Sequence, residues 1–185
     1  MAATTVSAIL DFKTADDRDD GIIGRTSTPA TTKRSYDMHQ EELMDQFAIQ
    51  RVITEYAWYV DRRDWDALVT TFSDTVVVDY TAMSGGEAET LSGSEQVDRW
   101  RRELGVLDGT QHVVTGVIAD VTGDTATATA NVLAWLRRDD VPGGRLWHNG
   151  GTYEFELRRE GERWRISRLA GRAIWIEGNI GVFAQ

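Results

Sequence analysis

Two residues far apart in the chain, Asp61 and His112, are of the types from which an acid–base pair is built. Asp61 lies in Glu55-Tyr56-Ala57-Trp58-Tyr59-Val60-Asp61-Arg62-Arg63-Asp64-Trp65-Asp66-Ala67-Leu68. This stretch reads as the end of one amphipathic helix, a tight acidic turn and the start of a second helix. The helix macrodipole disfavours a negative charge at the C-terminal end, so a carboxylate kept there, on the edge of an apolar face, needs a specific partner. Asp64 and Asp66 have local work as the cap and first-turn carboxylate of the second helix. Asp61 has none. His112 shares strand parity with Val114, Gly116 and Ile118, so it is expected to face a packed side of a sheet. A carboxylate on one imidazole nitrogen would fix the tautomer and leave the other nitrogen as a proton acceptor, which a general base requires. Plainer roles stay open on the residues alone: Asp61 could pair with Arg62, Arg63 or Arg137, and a lone strand histidine is more often structural.

Other side chains could assist. Tyr56 sits on the apolar stripe of the first helix, where its hydroxyl could donate into a pocket, and Tyr80 ends a strand at the expected mouth. Either could equally be a core aromatic with a polar tip, as could Tyr59, which falls off the stripe. Trp135 shares parity with Asn131, Leu133 and Arg137, a candidate pocket wall, and Trp147 shares parity with Tyr153 on the next strand. Arg137 either belongs to a solvated strand end with Arg138, Asp139 and Asp140 or points inward, where it would bind a substrate carboxylate or an enolate-like oxygen. His39 and His148 have no spacing relation to His112 that would build a metal site, so no metal is expected. Gly85-Gly86 lacks the lysine and the strand–loop–helix context of a phosphate loop, and there is no serine nucleophile elbow. No cofactor is expected.

The elements that must position these residues are legible in outline. Residues 1–36, rich in Thr, Ser, Ala and Asp and without Trp, read as a flexible extension or an arm that packs on a neighbouring subunit; one domain, residues 37–185, follows. From about Asp37 a helical stripe runs through Leu43, Phe47, Ile49, Val52, Ile53, Tyr56, Ala57 and Val60. A short helix over residues 65–72, a strand over 75–80, a Gly-containing loop over 83–89 and a helix over 94–104 come next. The period then changes to two, and strands are expected over 111–120, 125–138, 146–159 and 163–175, with turns at Gly123-Asp124, Pro142-Gly143-Gly144 and Glu160-Gly161-Glu162. Helices followed by long hairpins mean an α+β fold, with three helices laid in the concave face of a curled, mostly antiparallel sheet.

Composition bounds the function. The chain has 185 residues, no cysteine and a net charge of −10. It has no thiolate nucleophile or disulfide framework, and its charge disfavours nucleic acid and anionic membrane as partners. With no secretory signal or spanning segment legible, a soluble cytoplasmic protein is expected.

The order Tyr-Val-Asp-Arg-Arg-Asp-Trp-Asp-Ala-Leu, Val-Val-Asp-Tyr, Thr-Gln-His, Gly-Asp-Thr-Ala-Thr-Ala and Gly-Glu-Arg-Trp-Arg-Ile resembles the SnoaL-like branch of the NTF2-like superfamily over about residues 38–178. Within it the chain is similar to scytalone dehydratase, bile-acid dehydratase and hexachlorocyclohexane dehydrochlorinase. The resemblance implies a cone-shaped barrel with a deep apolar pocket, assembled as a homodimer or homotrimer. It places catalytic aspartate and histidine on Asp61 and His112, the tyrosine closing the first strand on Tyr80, and the helical tyrosine of the bile-acid enzyme on Tyr56. The second pocket histidine of scytalone dehydratase lands on Arg137, and its serine and asparagine land near Gly151 and Tyr153, so the substrate-handling set differs. The implied function is a cofactor-independent lyase or isomerase of the dehydratase type, acting on a small hydrophobic, cyclic metabolite. The fold also hosts non-catalytic subunits, such as the β subunit of ring-hydroxylating dioxygenases, and epoxide hydrolases.

Overall fold

The computed structural model describes residues 30–184. The first helix, α1 (Ala30–Arg62), begins before the expected Asp37, and the part of the N-terminal extension that precedes it lies outside the described residues. Its apolar stripe is buried from Ile49 to Val60, but Leu43 (69% exposed) and Phe47 (64% exposed) stand in solvent. Their periodicity is helical, yet this end of α1 presents them to no part of the core.

The chain leaves α1 through a paired C-terminal motif. Arg63 takes the left-handed conformation (φ 58°), Asp64 N–H donates to the Tyr59 carbonyl at 3.0 Å, and Arg63 N–H donates to that of Val60 at 3.2 Å. Asp64 then caps α2 (Trp65–Val69), accepting from Ala67 N–H. Thus Asp64 serves two helix ends at once. Arg63 also reaches forward, donating from Nη2 to the Leu107 carbonyl at 2.9 Å, which ties this turn to the segment leading into the histidine strand.

Strand β1 (Phe72–Asp79) starts earlier than expected, and the expected loop contains α3 (Thr81–Ser84) and leads into β2 (Glu89–Ser92). Helix α4 (Gly93–Leu104) opens with a capping box in which Ser92 and Glu95 satisfy each other's backbone. The long strands follow: β3 (Gly109–Thr122), β4 (Thr125–Arg137), β5 (Leu146–Glu160) and β6 (Arg163–Gly178), closed by a single 3-10 turn (Ile180–Phe183). The sheet order is β2-β1-β6-β5-β4-β3. All neighbours are antiparallel except β1 and β6, which run parallel, so the sheet is mixed; it curls around the helices without closing.

Two details decide which side chains face inward. On β4 the even positions Ala126, Ala128, Ala130, Val132, Ala134 and Leu136 are buried, and the odd positions lie outside. The small residues join one core cluster with Ile49, Val52, Ile53, Tyr56 and Val60 of α1, since alanines let a helix approach a sheet closely. On β3 a bulge between Thr115 and Ile118, at Gly116 (φ 65°), reverses the parity. His112 and Val114 are half-buried before it, while Ile118 beyond it is 69% exposed. The expected shared face of His112 and Ile118 is therefore broken by one inserted residue.

Candidate active site

Asp61 occupies the last turn of α1, and His112 faces it from β3. The carboxylate holds the histidine twice: Oδ1 lies 2.7 Å from Nδ1 of the ring, and Oδ2 accepts the backbone N–H of His112 at 2.6 Å. Both side chains are largely buried, at 17% and 12% exposure. Burial pushes the Asp61 carboxyl upward, but the hydrogen bond to the His112 ring, the ring's charge and the backbone N–H outweigh it and hold the group below the usual carboxylate range. The Thr110 hydroxyl lies near enough to favour the ionised form, although it is buried and makes no hydrogen bond of standard geometry. When the ring carries a single proton, an ionised Asp61 on Nδ1 makes that nitrogen the N–H donor. Nε2, which has no hydrogen-bond partner among the described residues, is then left with its lone pair.

Three tyrosines form the polar side of the interior. Tyr56, Tyr80 and Tyr153 lie within interaction range of one another, with Tyr56 between the other two, and Tyr153 also feels the Asp61 charge. The Tyr56 ring packs among Phe72, Trp100, Tyr153 and Phe155 at centroid distances of 5.9 to 6.4 Å. Burial, reinforced by neighbouring negative charge, pushes all three hydroxyls up, that of Tyr80 to about 12. They are proton donors through the neutral range and cannot serve there as bases. The neutral phenol is the form the fold favours. The stabilisation from Tyr80 is therefore complete below the unfolded-state value of about 10 and is lost as pH rises toward about 12. In an alkaline titration read by phenolate absorbance, these three tyrosines are expected to ionise only as the protein unfolds. Early, reversible ionisation of Tyr80 near pH 10 would contradict this placement.

The other sequence candidates separate into two faces. Trp147 and Tyr153 point inward on β5, but into different clusters: Tyr153 joins the main core, and Trp147 packs edge-on against Phe183 at 5.2 Å. Asn131, Trp135 and Arg137 occupy odd positions of β4, on the opposite face from the dyad. Arg137 is half exposed and bound in bidentate fashion by Asp139 at 2.7 and 2.8 Å. It is the solvated strand end, and these three residues do not form the pocket wall expected of them. His148 also lies on the outer side, 3.3 Å from Glu177.

Inward-facing polar residues that the sequence reading passed over are Thr110, Asn149 and Gln96. Asn149 is buried with Oδ1 unpartnered, in register with Ala134 and so with His112 two strands away. Its parity with Trp147 and Tyr153 was the available signal. Gln96 is buried on α4, one turn before Trp100. Among the described residues no group of three or more acidic or histidine side chains could hold a metal ion.

Helices lying in a curled, unclosed mixed sheet, with an aspartate–histidine pair on the inner face, define an α+β cone of the NTF2-like kind. The SnoaL-like domain matches residues 41–170, and the chain belongs to that family. The solved structures agree on the fold. A Kribbella flavida protein, Kfla4162, is 24% identical with a TM-score of 0.71, covering 74% of this chain and 95% of its own. A Novosphingobium aromaticivorans protein assigned as a scytalone dehydratase is 20% identical, TM-score 0.65, over 76% and 91%. A hexachlorocyclohexane dehydrochlorinase of Novosphingobium barchaimii is 18% identical, TM-score 0.65, over 77% and 95%. No curated protein sequence matches. No helix among the described residues is long and apolar enough to cross a membrane.

Proposed function

We propose that this protein is a lyase or isomerase in which His112 removes a carbon-bound proton from a small hydrophobic, cyclic metabolite. The observation that carries this reading is the double hold of Asp61 on His112. Its two oxygens fix both the ring nitrogen and the strand that bears it, so that Nε2 is presented as a base in a defined direction. Asp61 orients the ring and stabilises the imidazolium formed on proton transfer. The proton leaves a carbon acidified by a neighbouring carbonyl, and the electron pair either expels a β-hydroxyl, giving dehydration, or moves a double bond. Tyr80, Tyr56 and Tyr153, all protonated, supply hydrogen bonds to the leaving hydroxyl or to the carbonyl oxygen. Related structures named for a dehydratase and a dehydrochlorinase support an elimination. The intact Asp61–His112 pair argues against a purely supporting subunit.

The test is a panel of cyclic β-hydroxyketones and their enone products, followed by loss or exchange of the α-proton in deuterated solvent. His112→Ala is expected to lower turnover by about a thousandfold at unchanged folding. Full turnover in that variant would exclude the mechanism. We further propose self-association through the outer sheet face, where Val113, Leu133 and Trp175 are exposed side by side on paired strands.

A further inference from the structure

We propose that the cavity between α3, α4, β1 and β2 is a recognition site for an uncharged hydrogen-bonding group, an alcohol or carbonyl, on a cyclic substrate, and that Gln96 is the residue that reads it. The inference deepens the lyase or isomerase reading and rests on it for the word substrate. The cavity measures about 330 Å³ and reaches Tyr80 on one side and Trp100 on the other. Gln96 lines it at 2% exposure, and its amide has no hydrogen bond to any described residue. The amide faces the cavity, so only water or a ligand held there can complete it, and a methionine would fill the same space with nothing to donate or accept. A ligand with a matching donor or acceptor would take the place of that water.

The charges at the rim define what that ligand is. Arg99 is the cation of the cavity lining, and it is already held by Glu89 and Glu103; Glu87 adds a third carboxylate. The lining therefore carries excess negative charge and opposes a carboxylate or phosphate. Those carboxylates are exposed and solvated, so they draw a cation only weakly. A cation lying against Gln96 would meet an amide dipole there, with Glu89 and Glu103 already paired to Arg99. An uncharged donor or acceptor meets both conditions. The aromatic faces of Trp100 and Tyr80 suit a ring, and Tyr80 adjoins Tyr56, which adjoins Tyr153 beside Asp61.

The experiment uses the full chain, isotopically labelled, with the Gln96 side-chain amide and the Trp100 indole as reporters. Three probes of one ring size are titrated: benzyl alcohol, benzylamine and benzoate. Benzyl alcohol is expected to shift the Gln96 amide saturably, and the two charged probes to bind at least about tenfold more weakly. Gln96→Met is expected to weaken benzyl alcohol by at least about tenfold while keeping a cooperative unfolding transition. No saturable shift with benzyl alcohol, equal or tighter binding of either charged probe, or unchanged affinity in Gln96→Met would each overturn the proposal. The probe series on the unmodified chain decides the matter even if the variant folds poorly. His112→Ala should bind benzyl alcohol as the parent does. Loss of the dyad mechanism and loss of this site therefore give different results.

Discussion

Asp61→Asn is expected to reduce kcat/KM by about a thousandfold while lowering the melting temperature by less than about 8 °C. The asparagine oxygen can still accept the His112 backbone N–H that now sits 2.6 Å from Oδ2. Its amide nitrogen would then face Nδ1, and because an amide nitrogen only donates, Nδ1 must become the acceptor and the ring proton must move to Nε2. The base is lost although the geometry survives. A second arrangement, with the amide reversed, gives up the backbone bond instead, and that costs about 1–2 kcal/mol. Measured side by side, near-parental stability with a collapse in turnover distinguishes a catalytic carboxylate from one that merely ties α1 to β3. If turnover and stability fell together and in proportion, the pair would be structural.

Gly151→Ala is expected to destabilise the fold by about 3 kcal/mol or more. A β-carbon at this position would lie 1.9 Å from the Arg172 carbonyl oxygen and 3.0 Å from the Ala173 α-carbon. No rotamer can relieve the overlap, since the clash is with backbone and the added atom has no torsion of its own. The register between β5 and β6 shifts at Gly150/Gly151, where two long central strands approach too closely for a side chain. That shift lies between Asn149 and Tyr153, so a forced separation of the strands would also displace the inner wall of the site. Gly109→Ala is the control. Its β-carbon would meet nothing within 4 Å, and a change within about 0.5 kcal/mol is expected by denaturant unfolding.

The parts of the site that could be read from sequence were those governed by one local rule. Asp61 was legible because its neighbours Asp64 and Asp66 account for themselves as helix-terminal carboxylates and it does not. The turn at Arg63 and Asp64 confirms that division, with Asp64 closing one helix and opening the next. The β3–β4, β4–β5 and β5–β6 hairpins were legible from glycines and from a period of two. Parity failed at the β3 bulge: Gly116 inside the strand pattern was its one signal, and past it the buried positions switch from even to odd. On β4 the strict Thr–Ala alternation did not say which face is inner. The larger side chains Trp135 and Arg137 suggested the wrong one, because the inner face is set by close packing of α1 on alanines. Gln96 and Asn149 were missed for a related reason. An isolated polar residue looks solvent-exposed until its neighbours one helical turn or two strand positions away are known to be buried. Leu43 and Phe47 show the converse, a helical stripe that continues beyond what the sheet covers.

The tautomer of His112 shows whether Asp61 makes this ring a base. In nitrogen-15 NMR spectra of the full-length protein, recorded where the ring is neutral, Nδ1 is expected to be protonated and Nε2 bare, with that pattern reversed in Asp61→Asn. A proton resident on Nε2 in the parent protein, or a tautomer indifferent to Asp61, would contradict the dyad mechanism.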